Sequence, residues 1–228
     1  MKKPVVDYRN FRLSRINEPR FSHLKLLAGW IIYFAMYFIT ENLIPAESCH
    51  VVHCRLDDWI PFCVAFVFHY VLWYALVAGS LLYFLLYDVE GFRRLMIFII
   101  VTQVTAMLIY IGFPNRQDLR PEQFPRDNIL SRCVGFLYAF DTNTNVCPSL
   151  HVAYSLGIAS AFLKDKNTSA LIKSLVVIFV FLVCLSVAFI KQHSVVDVFA
   201  ALPVCLLAEI IAYGKGYWLP RLRKGKRT

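Results

Sequence analysis

The chain of 228 residues shows no internal repeat and no low-complexity tract, which excludes a solenoid or a modular array. No two of its seven cysteines stand at the spacing of a zinc site, so a structural zinc module is not expected. The first 23 residues are polar and basic and hold no short apolar core, so a cleavable secretory leader is not expected and the first apolar helix should insert and stay. The apolar runs that follow leave no room for a separate soluble domain.

What the sequence has in abundance is apolar surface: 58% of its residues are hydrophobic and 15% aromatic. That is too apolar for an ordinary soluble domain and points to a membrane protein. A hydrocarbon core requires about 20 apolar residues per helix. Helices are expected at 24–44, 60–87, 95–113, 149–163, 171–190 and 193–213, with turns at 88–94 and 191–192. The fold class expected is all-α: a polytopic membrane protein, a six-transmembrane-helix bundle with a short interfacial helix at 129–140 inside the polar 114–148 loop. The organisation expected is a basic lead at 1–23, a membrane domain at 24–213 and a basic tail at 214–228. The 149–163 helix is short, rising only about 22 Å against a hydrocarbon thickness of about 30 Å, so its His151 end is expected below the membrane surface.

The net charge of +9 suits anionic lipid headgroups better than nucleic acid, because the basic residues cluster beside apolar helices at the chain ends. No nucleic-acid partner is expected. Six crossings put both termini on one side, and that side carries 18 of the 24 Lys and Arg. The excess predicts cytoplasmic termini in the cell membrane and places the 114–148 loop, His151 and His193 on the outer face. There, disulfides Cys49–Cys54 and Cys133–Cys147 are possible, with free thiols favoured because spacing alone does not establish pairing.

Two stretches carry chemistry. His193 and Asp197 are four residues apart, which on a helix puts them on one face. An aspartate in an apolar helix usually faces a protein interior with a partner. A carboxylate on one ring nitrogen fixes the imidazole tautomer and leaves the other nitrogen as a nucleophile; a structural His–Asp pair is the alternative. Ser149 and His151 follow Pro148 at a helix start, where backbone N–H groups can hold an anion. Ser149 can cap the helix or donate a hydroxyl, and His151 can protonate a departing oxygen. Arg120 is a candidate phosphate fork or a loop anchor, with Arg116 and Lys191 as secondary candidates. His69, Gln103 and Glu209 read as packing or interhelical hydrogen bonds.

In order and spacing, Arg120-Pro121, then Pro148-Ser149-Leu150-His151, then Ser186 and His193 with Asp197 resemble the three motifs of the type 2 phosphatidic acid phosphatase superfamily. The resemblance covers residues 24–213. It implies a six-helix fold, a nucleophilic His193 oriented by Asp197, His151 as acid, phosphate held by Arg120 and the Ser149 region, and neither metal nor cofactor. The chain carries Phe113 where the family has lysine, Leu150 where it usually has glycine, and Val187 where it has arginine; Arg116 or Lys191 is expected to substitute. The Pro-Ser-Leu-His form is similar to the branch that includes inositol phosphorylceramide synthases. The expected function is therefore a membrane lipid phosphate phosphatase acting through a phosphohistidine. The alternatives are a lipid headgroup phosphotransferase and a non-catalytic lipid-binding or transport protein.

Overall fold

A computed structural model describes residues 3–124 and 126–225, with the side chains of residues 224 and 225 left aside. The fold is all-α. Its helices are α1 (Ala28–Leu43), α2 (Arg55–Trp59), α3 (Val67–Tyr87), α4 (Val89–Gly112), α5 (Ile129–Phe140), α6 (Leu150–Lys164), α7 (Ala170–Phe189), α8 (Val195–Tyr213) and α9 (Leu219–Gly225). Two-residue strands β1 (His50–Val51) and β2 (Asn115–Arg116) pair in parallel, His50 opposite Asn115. Among the described residues, five helical stretches are long and apolar enough to cross a membrane: Ser22–Leu43, Val64–Tyr87, Val89–Gly112, Ala170–Phe189 and Val195–Arg223.

Local chemistry moves several expected boundaries. The stretch 88–94 is not a turn. Asp88 alone separates α3 from α4, and its carboxylate accepts the Gly91 amide at 3.0 Å, so the new helix starts at once. The second apolar run does not start a helix at Ile60. Ile60 precedes Pro61 and is extended, and regular helix begins only at Val67 after a 3₁₀ turn at Val64–Phe66. His193 precedes α8 instead of opening it, because Ser194 is the cap. The basic tail is structured as far as residue 225: α8 runs through a π-helical turn, Gly214–Trp218, into α9. The basic lead is docked on the bundle, with Val5 N–H on the Leu86 carbonyl at 2.8 Å and the Tyr8 hydroxyl on that of Leu85 at 3.0 Å. Residues 1 and 2 and residues 226–228 of the lead and tail lie outside the described residues.

The core lies where α4 and α6 meet. α4 packs on α8, α6, α3 and α1, and α6 is enclosed by α3, α4, α7 and α8. Gly157 makes the α4–α6 approach possible, since a Cβ there would lie 2.5 Å from Phe98 Cδ1. Close packing and interhelical hydrogen bonds hold membrane helices together, because lipid tails remove the ordinary hydrophobic drive between them. Glu209 on α8 shows such bonding: it accepts from Ser160 on α6 at 2.6 Å and pairs with Lys164 at 2.8 Å. α1 is peripheral and turns Ile31, Phe34 and Phe38 outward.

Candidate active site

The N-terminal ends of α6 and α8 meet, and each brings a histidine. Ser149 caps α6 and is fully buried; its hydroxyl accepts the Val152 amide at 3.4 Å, while its own N–H donates to the Asp197 carbonyl at 3.1 Å. Ser194 caps α8 in a capping box whose returning carboxylate is Asp197. That box, and not a shared helix face, brings Asp197 to His193. Asp197 Oδ2 lies 3.0 Å from the Ser194 amide and 3.2 Å from His193 Nδ1.

His193 Nδ1 also lies 3.1 Å from the Val146 carbonyl oxygen. Two acceptors on one nitrogen place the ring proton there and leave Nε2 with its lone pair. Nε2 faces His151 Nδ1 at 3.4 Å. The His151 ring packs between Trp73 and Tyr70, with centroids 4.2 and 4.4 Å away, and its buried Nε2 has no hydrogen-bond partner among the described residues. The result is a line of groups running Asp197–His193–His151, closed on one side by aromatic rings.

The loops beside this line are held in unusual conformations. Asn145 and Lys191 are the described non-glycine residues with positive φ, 53° and 56°. Such residues persist only when their surroundings enforce them. Asn145 Nδ2 donates to Glu41 at 2.5 Å, and Glu41 also accepts from Thr142 and Thr144 at 2.7 Å each. Lys191 Nζ donates to the Asp57 and Ile60 carbonyls at 2.7 and 2.6 Å. Asn115 then fixes the segment leading to Pro148, accepting the Val146 and Cys147 amides at 3.0 and 2.7 Å.

Asp57 on the short α2 is the buried anchor of the His193 turn. It accepts the Ser194 hydroxyl at 2.6 Å and the Val195 and Cys54 amides at 2.8 Å each. Burial pushes its carboxyl up, but these hydrogen bonds outweigh burial and hold it below the usual aspartate value. Asp141 is the opposite case. Burial raises its carboxyl although the Tyr70 hydroxyl donates to it at 2.6 Å, and Gln192 Nε2 lies 3.3 Å away.

The three cations expected at the phosphate are engaged elsewhere. Arg120 donates to the carbonyls of Tyr138, Asp141 and Thr142 at 3.0, 2.5 and 2.8 Å and stacks over the Tyr138 ring at 4.5 Å. Its buried Nε has no partner among the described residues. Arg116 donates to the Ala46 carbonyl at 3.1 Å and pairs with Asp118 at 3.2 Å. Lys191 is spent on α2, and burial lowers its ammonium below the ordinary lysine value. The structure thus brings His151, His193, Asp197 and Ser149 together and ties Arg116, Arg120 and Lys191 to the loops around them.

All seven cysteines are free thiols. The Cys147 thiol lies against Asp197, and burial, followed by that negative charge, pushes it up to about 12. Among the described residues no group of three or more His, Cys, Asp or Glu side chains is placed to hold a metal ion. No protein-family model matches this chain, and neither a curated protein nor a solved structure matches it at a significant level.

Proposed function

We propose that this protein is a membrane-embedded phosphoryl-transfer enzyme that hydrolyses a lipid phosphate through a phosphohistidine. The observation that carries the reading is the Asp197–His193–His151 line, with one His193 nitrogen held by a carboxylate and the other turned to a second imidazole. A buried structural pair would account for Asp197 and His193. It would not account for a second histidine meeting the unbound nitrogen at 3.4 Å with its own Nε2 unsatisfied.

In this reading α6 is the sixth crossing, α5 lies at the interface, the termini are cytoplasmic and the site faces outward. α6 suits the role because it begins at the site and is buried among four helices, so its 15 residues need not reach lipid at both ends.

The substrate phosphate enters between the two rings, against the positive N-terminal end of α6. His193 Nε2 attacks phosphorus, and a P–N bond forms as the P–O bond to the lipid breaks. His151 gives its proton to the departing alkoxide, releasing a lipid alcohol. Asp197 stabilises the positive charge that develops on His193. His151, now neutral, takes a proton from water as that water attacks the phosphohistidine. The P–N bond breaks, phosphate leaves, and both imidazoles return to their starting state. Arg120 is the cation assigned to the equatorial oxygens. This role requires Arg120 to exchange the Tyr138, Asp141 and Thr142 carbonyls it now holds for phosphate oxygens; its buried Nε, without a partner among the described residues, is a donor still available for that.

The test is turnover of a panel of lipid phosphates by detergent-purified protein, followed by release of inorganic phosphate. Wild type should release it, and His193→Ala should not while eluting and melting as wild type does. Wild-type rates in His193→Ala would remove the nucleophile from the proposal. A headgroup transferred to an added lipid alcohol, with no free phosphate, would reassign the enzyme as a phosphotransferase.

A further inference from the structure

The far end of the bundle holds a second site candidate. His151 lies in the first turn of α6 and Lys164 ends it, so the two stand about 20 Å apart along the helix axis. Beside Lys164 is a cavity of about 320 Å³, lined among others by Arg94, Lys164, Lys166, Arg221, Asp88 and Asp165.

Four cations and two carboxylates line it, so the lining carries two more positive charges than negative ones. Both lining carboxylates are held by neighbouring amide and hydroxyl donors. Asp88 accepts the Gly91 amide at 3.0 Å as the cap of α4. Asp165 accepts the Asn167 amide at 2.8 Å and the Tyr83 hydroxyl at 2.9 Å, and also bonds Thr168. Lys164 is matched by Glu209 at 2.8 Å and covered by the Tyr213 ring at 4.3 Å. Lys166 and Arg221 make no ion pair among the described residues, whereas Lys164 and Arg94 each have a carboxylate partner. The adjoining segments add Arg93, Lys173, Lys215 and Arg223, while Glu90 is the further carboxylate, paired with Arg94 Nε at the exposed rim.

The two arginines are set in place. Arg221 Cζ sits over the Tyr217 ring, 3.5 Å from its centroid, and its Nη1 donates to the Tyr217 carbonyl at 3.3 Å, which together restrain its guanidinium. Arg94 presents its Nη edge to the π-helical turn after α8. A Cβ on Gly216 would lie 2.7 Å from Arg94 Nη2, so glycine is what lets the guanidinium sit there. Planar forks held by stacking and packing lose little freedom on binding an oxyanion, and arginine suits phosphate for that reason.

We propose that this cavity binds a phosphate-bearing anion, either the headgroup of an anionic membrane lipid or free phosphate, independently of the histidine site. The aromatic belt formed by Tyr213, Tyr217 and Trp218 around the cations has the composition of a membrane–water boundary. Basic segments beside a membrane helix attract anionic lipid, and here the attraction is gathered at one concave place.

The intact protein is reconstituted in nanodiscs of phosphatidylcholine containing phosphatidylglycerol, and bound lipid is read by native mass spectrometry. A second arm titrates inorganic phosphate into detergent-purified protein by calorimetry. Wild type should hold phosphatidylglycerol several-fold over phosphatidylcholine. The double variant Arg94→Gln/Arg221→Gln should lose that preference, and Gly216→Leu, which keeps every charge, should weaken it by displacing Arg94. Both variants should retain wild-type turnover at the histidine site. Heat released on phosphate titration, absent in the double variant, would assign the site to the free ion. No lipid preference and no phosphate binding in wild type would overturn the proposal. So would binding that survives both variants.

Discussion

Asp57 Oδ2 accepts a hydrogen bond from Ser194 Oγ at 2.6 Å, joining residues 137 positions apart. Through it a five-residue helix in the first polar loop holds the turn that carries His193. Asp57→Ala would leave the Ser194 hydroxyl and two amides, Val195 and Cys54, without their acceptor. The expected cost is about 2 kcal/mol or more, since each buried donor loses its partner. Thermal unfolding in detergent should show the loss, and turnover should fall with it. Stability and rate both equal to wild type would show that the turn holds itself.

The same carboxylate predicts an acid sensitivity. Its folded value lies below the ordinary 3.8, so its stabilisation is complete above that value and is lost as pH falls through the lower folded value. The difference in Tm between wild type and Asp57→Asn should therefore be constant at neutral pH and shrink below about pH 4. A difference that grew on acidification would reverse the sign and refute the assignment.

Asp197→Asn tests the orientation of the nucleophile. The amide can keep the geometry but removes the charge and can turn an N–H toward His193 Nδ1. By analogy with carboxylate–histidine pairs in hydrolases, kcat should drop on the order of 10³- to 10⁴-fold with a small change in KM. Steady-state kinetics on one lipid phosphate decides it, and an unaltered kcat would reduce the pair to a structural cap.

His151→Gln separates acid catalysis from binding. With a lipid alkoxide as leaving group the expected loss is about 10²- to 10⁴-fold. With a nitrophenyl phosphate, whose leaving group needs no proton, the loss should be far smaller. Equal losses on both substrates would mean that His151 acts by packing against Trp73 and Tyr70 instead.

Lys191→Met distinguishes a phosphate ligand from a brace. The ammonium donates to the Asp57 and Ile60 carbonyls, so the variant should melt at a lower temperature while KM at saturating stability conditions stays near wild type. A large rise in KM with unchanged Tm would return Lys191 to the phosphate.

Much of the site was legible because its parts are short-range. Ser149 as a cap and His151 in the first turn of a helix can each be read within a few residues, and so can the nearness of His193 to Asp197, although a capping box and not a helix face produces it. The helical boundaries that failed did so for equally local reasons: Asp88 restarts a helix within one residue, and Ile60 is pulled out of helix by Pro61. Asp57, Asn115, Glu41 and Asp141 are not legible in the sequence as residues of the site. Each acts on a partner dozens of residues away or more, and the local pattern does not show that contact. Arg120, Arg116 and Lys191 were legible as cations near the site, but not that backbone carbonyls had already claimed them.

By itself, the order of residues determined that the chain is built of apolar helices and that two histidines and an aspartate stand at helix starts. Hydropathy and capping depend on neighbours in the chain, so they survive without coordinates. Only the tertiary structure decided which nitrogen of His193 is free, that His151 meets it, and that the surrounding cations brace loops. Those outcomes depend on which distant donors and acceptors become neighbours once α6 and α8 pack together, and no local pattern encodes that.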